Sequence, residues 1–255
     1  LGYAGTSGAP WIDYVIADAV VIPPTHEHLY SEKIIRLPNC FMPDNNQRPP
    51  VHQPGNRAAS LIQQGLPESG FVFCAFSNPY KITPEMLACW FRLLHAVPKS
   101  VLWLQANNQV AKGHIEAAAE AAGLGVGRVV FAQRVDSFEA HLQRYALADL
   151  FLDSFPYNAH VTAADALWAG LPVLTLQGES FAARVASSIL TALGLPELMT
   201  TDLASYEWRA LELANDPVQL QSLRDKLASS KAAGAYFNQA QYAASLEQAY
   251  RTIVL

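Results

Sequence analysis

The chain has 255 residues, 51% apolar and 15% charged, with a net charge of −5. That composition can build a substantial core and excludes a disordered or fibrous chain. It also lacks the clustered Lys and Arg that nucleic-acid or anionic membrane binding requires. Three cysteines (Cys40, Cys74, Cys89) without CxxC or Cys/His spacing argue against a disulfide framework or structural zinc, and for a reducing, cytoplasmic setting.

No apolar run reaches the roughly 18 to 20 residues of a membrane span, and no signal-peptide pattern opens the chain, so a soluble protein is expected. The first residue is Leu1 rather than Met, and the opening reads as the exit of a strand. A piece of a longer polypeptide is therefore expected.

In chain order, the apolar runs 12–18 and 33–37 predict strands, separated by Pro23-Pro24. Residues 38–69, rich in Pro, Asn, Gln and Gly, predict a long connecting segment without a helix or central strand. From residue 70 strand-like and helix-like stretches alternate. Strands are predicted at 71–76, 100–105, 128–132, 149–153 and 172–176, and helices at 84–96, 112–122, 137–147, 162–169 and 180–193. After Gly194-Leu195-Pro196 only helices are predicted, at 203–214, 217–232 and 239–253, and no internal repeat occurs. The predicted fold is α/β, a Rossmann-like parallel-sheet lobe (70–200) preceded by an inter-lobe segment leading into it (1–69) and followed by a helical C-terminal tail (201–255). In such sheets ligands bind beyond the carboxyl ends of the strands.

The loop after strand 149–153 runs from Ser154 through Tyr157, Asn158, His160, Val161 and Thr162 to Asp165. Thr162 is expected to cap the next helix, whose N–H groups and dipole would face a diphosphate. His160 could donate to a phosphate oxygen or leaving group, and Asp165 could accept from ribose hydroxyls. Thr162 and Asp165 also fit a capping-box-like pair serving stability alone. After strand 71–76, Lys81 is a counter-charge for a β-phosphate, able to stabilise a departing nucleoside diphosphate without a metal; an ordinary solvated lysine is the plainer reading.

His141 and Arg144, three apart, share a helix face where one could stack on a base and the other bond its edge. Gly178-Glu179-Ser180 reads as a helix-start and packing turn, because Glu179 would repel phosphate. Gly5-Thr6-Ser7-Gly8 is a small-residue turn where backbone could approach a sugar or phosphate. No Walker A, GxGxxG, HExxH or GxSxG motif is present.

Several ordered motifs carry a resemblance: the opening Gly-Tyr-Ala-Gly-Thr-Ser-Gly-Ala with Asp13-Tyr14, Tyr30-Ser31-Glu32-Lys33, Tyr80-Lys81-Ile82, Ser100 to Leu104, Asn158 to Gly170 and Gly178 to Ala186. Along almost the whole chain the sequence resembles the O-linked N-acetylglucosamine transferases of glycosyltransferase family 41, its bacterial members above all. The resemblance implies a GT-B fold of two facing lobes, this chain being the second. It implies an inverting transferase that moves N-acetylglucosamine from UDP-N-acetylglucosamine to Ser and Thr of proteins, with no cofactor. By matching positions, Lys81 contacts the diphosphate, His141 stacks on uracil, Arg144 lies beside the base, His160 and Thr162 hold the phosphates and Asp165 holds the ribose. The expected catalytic residues are Lys81 and His160; Asn78, His141, Arg144, Tyr157, Val161, Thr162 and Asp165 complete the substrate-binding set with them.

Three positions depart from the family pattern. Val161 interrupts a His-Thr-Thr run, Phe138 stands where some members have a lysine near the ribose, and Tyr157 replaces a cysteine lining the sugar's N-acyl pocket in some members. The expected partners are a UDP-sugar, a protein acceptor, and a first lobe with tetratricopeptide repeats in the same polypeptide, with no nucleic acid, membrane or metal. The alternatives are a related GT-B transferase using UDP-glucose or GDP-fucose, and a noncatalytic nucleotide-sugar-binding module.

Overall fold

The structure is a computed structural model and describes residues 3–254 apart from 46, 107 and 235, so Leu1 and Gly2 of the opening motif lie outside it. Strands β1 (Tyr14–Ala17) and β2 (Lys33–Arg36) form a parallel pair with Tyr14 opposite Lys33. The strands β3 (Val72–Ala75), β4 (Val101–Gln105), β5 (Val129–Ala132), β6 (Leu150–Leu152), β7 (Val173–Leu176) and β8 (Met199–Thr200) form one parallel sheet in the order β5-β4-β3-β6-β7-β8.

Every residue of β3, β6 and β7 is buried. Their unbroken apolar runs are what a sheet covered on both faces needs. The cover comes from α2 (Pro84–Ala96), α3 (Gln109–Ala121), α4 (Phe138–Arg144), α5 (Val161–Trp168), α6 (Val185–Ala192) and α7 (Leu203–Asn215), followed by α8 (Pro217–Ala233) and α9 (Gln239–Val254). The chain steps outward from β3 to β5, then crosses back to β6 and steps outward the other way. Strand order therefore reverses between β3 and β6, and the loops after these two strands part to leave a crevice at their carboxyl ends.

The predicted strands and helices recur within a few residues, with three corrections. The connecting segment does hold a helix, α1 (Arg57–Gln63), capped by the Asn56 side chain, which accepts from Ala59 N–H at 3.1 Å. A run of Arg, Ala, Ser and Leu beyond Pro54-Gly55 suffices because fully buried Leu61 anchors it and Arg57 pairs with Asp149 at 2.8 Å. A strand also follows Pro196, for β8 adds to the edge at β7; two residues are too short to carry a sequence period. The predicted helix 180–193 is divided at Arg184, whose guanidinium donates to the carbonyls of Val20 (2.6 Å) and Gly178 (2.8 Å).

The C-terminal helices close back onto the lobe. Trp90 of α2 donates to Tyr206 Oη of α7 at 3.3 Å, and Tyr206 donates to the Asp153 carbonyl at 3.1 Å. Among the described residues no helix is long and apolar enough to cross a membrane.

Gly70 enters β3 at φ +121°, and a Cβ there would meet the Lys99 carbonyl oxygen at 2.2 Å. Gly70→Ala is expected to cost roughly 2 kcal/mol or more. Urea unfolding should read this as a lower midpoint at unchanged slope.

Candidate active site

The loop after β3 turns at Asn78, whose side chain caps the single 3-10 turn Pro79–Lys81. That turn sends Lys81 across the crevice. Its Nζ donates to the Asn158 carbonyl at 3.0 Å and lies 4.0 Å from the centre of the Tyr157 ring. Tyr157 stacks on His160, ring centres 5.0 Å apart.

The loop after β6 holds its shape through Asp153, which is fully buried. Asp153 Oδ1 accepts from the N–H groups of Ser154 (2.7 Å) and Ala159 (2.6 Å), and Oδ2 accepts from Thr175 Oγ1 (2.6 Å). Asn158 Nδ2 donates to the carbonyls of Ser154 and Leu176. Burial raises the Asp153 carboxyl to about 7 against those donors and Lys81. Burial lowers Lys81 below the ordinary lysine range, with Asp153 opposing. His160 is pushed down to about 4 by burial and then by Lys81, so the ring is neutral at pH 7. Buried atoms His160 Nε2 and Asn158 Oδ1 have no partner among the described residues.

Helix α5 starts one residue earlier than expected, and Thr162 is not its cap. His160 occupies that position, where its carbonyl accepts from the N–H groups of Ala163 and Ala164 and its side chain makes no capping bond. Thr162 lies in the first turn beside Val161, which is 60% exposed. The first two amides of the helix, those of Val161 and Thr162, have no acceptor among the described residues. A helix start without a side-chain cap suits an anion. The capping-box reading fails as well, because Asp165 is buried and engaged elsewhere.

Asp165 belongs to a second cluster, with His141 and Arg144 of α4. Its Oδ2 lies 3.5 Å from His141 Nε2, and its Oδ1 accepts from Arg48 of the connecting segment. Arg144 is buried against the Phe76 ring, 4.4 Å from its centre, and donates to the Gln133 carbonyl and to His141 Nδ1 at 2.6 Å. A guanidinium has no acceptor, so His141 Nδ1 accepts and the ring proton sits on Nε2, toward Asp165. Arg144 thus orients His141 through one of its terminal nitrogens, while its buried Nε has no partner among the described residues. Phe138 stacks on the other side of His141, ring centres 6.4 Å apart.

A cleft of about 770 Å³ beside these clusters is lined among others by Phe76, Gln105 and His114, and of the sequence-predicted site residues by Asn78 and Thr162. The remaining turns are occupied otherwise. Glu32 accepts from Thr6 Oγ1, Ser7 N and Ser7 Oγ, each at 2.6 Å, and these donors lower its carboxyl to about 2; a carboxylate there opposes a phosphate at Gly5–Gly8. Glu179 pairs with His26 at 3.1 Å, and a Cβ at Gly178 would meet Phe155 at 2.8 Å, as the packing-turn reading requires. Among the described residues no group of three His, Cys, Asp or Glu side chains is placed to hold a metal.

The profile of glycosyl transferase family 41 matches residues 1–53 and 55–246. The chain belongs to this family. Its family 41 relatives include the Arabidopsis thaliana protein named as the probable UDP-N-acetylglucosamine--peptide N-acetylglucosaminyltransferase SEC, 35% identical over 98% of this chain, and the Caenorhabditis elegans UDP-N-acetylglucosamine--peptide N-acetylglucosaminyltransferase, 38% identical over 74%. This chain spans 26% and 16% of those proteins, so it corresponds to a minor part of each. Among solved structures, a substituted form of the Thermobaculum terrenum O-GlcNAc transferase superposes with a TM-score of 0.88 at 30% identity, over 99% of this chain and 47% of that one. The lobe is accordingly a GT-B glycosyltransferase lobe.

Asp153, Arg48 and Asp44 join the site only in the structure. Asp153 stood in view as the last residue of a predicted strand at the loop's origin. Asp44 and Arg48, four apart, were an available ion-pair spacing inside a segment read only as a connector.

His160 at about 4 in the folded chain compares with about 6.5 unfolded, so between these values the unfolded chain binds the additional proton and this residue's contribution to stability rises with pH. Asp153, raised in the folded chain, contributes with the opposite sign. Urea unfolding between pH 4.5 and 7.5 should therefore show His160→Gln losing a component that rises with pH, and Asp153→Asn losing one that falls. The reverse slopes would contradict this assignment.

Proposed function

We propose that this chain is the donor-binding lobe of an inverting protein O-GlcNAc transferase, holding UDP-N-acetylglucosamine for transfer to Ser and Thr hydroxyls. The observation that carries the reading is the meeting of Lys81, His160 and the uncapped start of α5 at the strand-order reversal. A cation, a neutral imidazole and two amides gathered there support the reading, because together they suit a diphosphate. The names of the family 41 relatives support the same donor and a peptide acceptor.

In the reaction the acceptor oxygen forms a bond to the anomeric carbon while the bond from that carbon to the phosphate oxygen breaks. UDP departs with the electron pair. Lys81 and the α5 amides stabilise the charge that develops on it, already oriented and partly dry before the step. The hydroxyl proton passes to a base that we assign to the first lobe of the same polypeptide, where acceptor-binding tetratricopeptide repeats also belong. His141 stacks on uracil, and Asp165 accepts from the ribose. The three free, buried cysteines go with a cytoplasmic location.

Calorimetric titration with UDP tests the donor site. Saturable binding is expected, weakened more than about tenfold, roughly 1.4 kcal/mol, by Lys81→Ala and by Asp165→Ala separately. Absence of binding by both this chain and the full-length polypeptide would overturn the reading. Turnover of UDP-N-acetylglucosamine by the full-length polypeptide, in preference to UDP-glucose and GDP-fucose, is the expected outcome for the sugar; preference for either of the others reassigns it.

A further inference from the structure

The connecting segment between β2 and α1 crosses both helices of the second cluster. The Pro49 carbonyl accepts from Trp168 Nε1 of α5 at 2.8 Å, and His52 N–H donates to Gln143 Oε1 of α4 at 3.1 Å. Arg48 directly precedes the first of these ties. Its Nε and Nη2 donate to the two oxygens of Asp44, both at 2.8 Å, and its Nη1 donates to Asp165 Oδ1. The side chains of Arg48, Asp44 and Asp165 are 12%, 3% and 4% exposed.

This geometry constrains Asp165 closely. Arg48 is gripped by Asp44 with both prongs of its fork, so its direction is fixed before it meets Asp165. The carboxylate of Asp165 then has Arg48 on one oxygen and His141 facing the other. Each oxygen retains a second lone pair. With so little surface open, the carboxylate can serve a ligand only in the orientation these two neighbours impose. Charge balance points the same way, because Arg48 pairs with both Asp44 and Asp165, and removing it would leave two buried carboxylates that oppose each other's ionisation.

We propose that Arg48 is a positioning residue for the nucleotide, holding Asp165 so that a remaining lone pair is aimed at a ribose hydroxyl. The inference rests on the donor-lobe reading. It makes the connecting segment a wall of the binding site, acting through α5 without touching the ligand.

Calorimetric titrations with UDP, 2′-deoxy-UDP and 3′-deoxy-UDP, on the unsubstituted chain and on Arg48→Met and Arg48→Lys, separate a positioning role from a structural one. The unsubstituted chain should prefer UDP to at least one deoxy analogue by about tenfold, as a hydrogen bond to a charged acceptor implies. In Arg48→Met that preference should shrink to about twofold or less, while affinity for the deoxy analogue changes by less than about threefold. Arg48→Lys, which keeps the charge but not the fork, should fall between and supplies the comparison should the Met variant fail to fold. Equal weakening of UDP and both analogues, undiminished discrimination in the variants, or UDP binding without discrimination by the unsubstituted chain would each overturn the proposal. Absence of UDP binding by the unsubstituted chain and the full-length polypeptide overturns the donor-lobe reading, and the proposal falls with it.

Discussion

The buried carboxylate of Asp153 is the constraint on which the rest of the lobe turns. It ends β6 at the reversal of strand order, and its two oxygens are taken by Ser154 and Ala159 on one side and Thr175 of β7 on the other. The loop that carries Tyr157, Asn158 and His160 is thereby fastened to two strands at once. The carbonyl of the same residue accepts from Tyr206, so the C-terminal helices are registered against that point. A buried carboxylate is expensive unless its partners are well placed. Here three donors meet it, and Lys81 lies close enough to act on it electrostatically.

That fastening explains how a site made of loops can be rigid. The crevice exists because parallel strands leave in opposite directions from β3 and β6, which is a property of the winding. What fills the crevice is decided by short-range chemistry: a 3-10 turn capped by Asn78 delivers Lys81, and a helix without a side-chain cap delivers two amides. Neither needs to move to face an anion. Oriented donors in a partly dry setting are worth more than the same donors in water, since no reorganisation is required when charge develops.

Much of this was legible in the sequence. The doubly covered strands declared themselves as continuous apolar runs, and the loops at their ends held the residues that the structure brings together, Lys81 with Tyr157 and His160, and His141 with Arg144 and Asp165. The parts that were not legible depend on long-range pairing. Asp165 looked like a capping residue because sequence spacing records its distance from Thr162 and not from Arg48, 117 residues away. The helix position of Arg144 says which face it shares with His141, not that Phe76 lies against it. Strand β8 and helix α1 are short elements held by tertiary contacts, so local pattern had little to record.

The two halves of the site differ in charge, and the difference fits what each has to meet. In the second cluster Arg48 and Arg144 are matched by Asp44 and Asp165, leaving hydrogen-bonding and stacking surfaces with no net demand for an ion. At the start of α5 the balance is positive. Lys81 is charged, His160 is neutral, and the carboxylate nearby is raised to about 7 by its burial. Tyr157 lies against both Lys81 and His160 with its ring, adding polarisable surface without another charge. An uncharged base and ribose suit the balanced half and a diphosphate suits the half with positive charge left over, so under the proposed donor reading the division of charge favours one orientation of a nucleoside diphosphate before any single contact is considered.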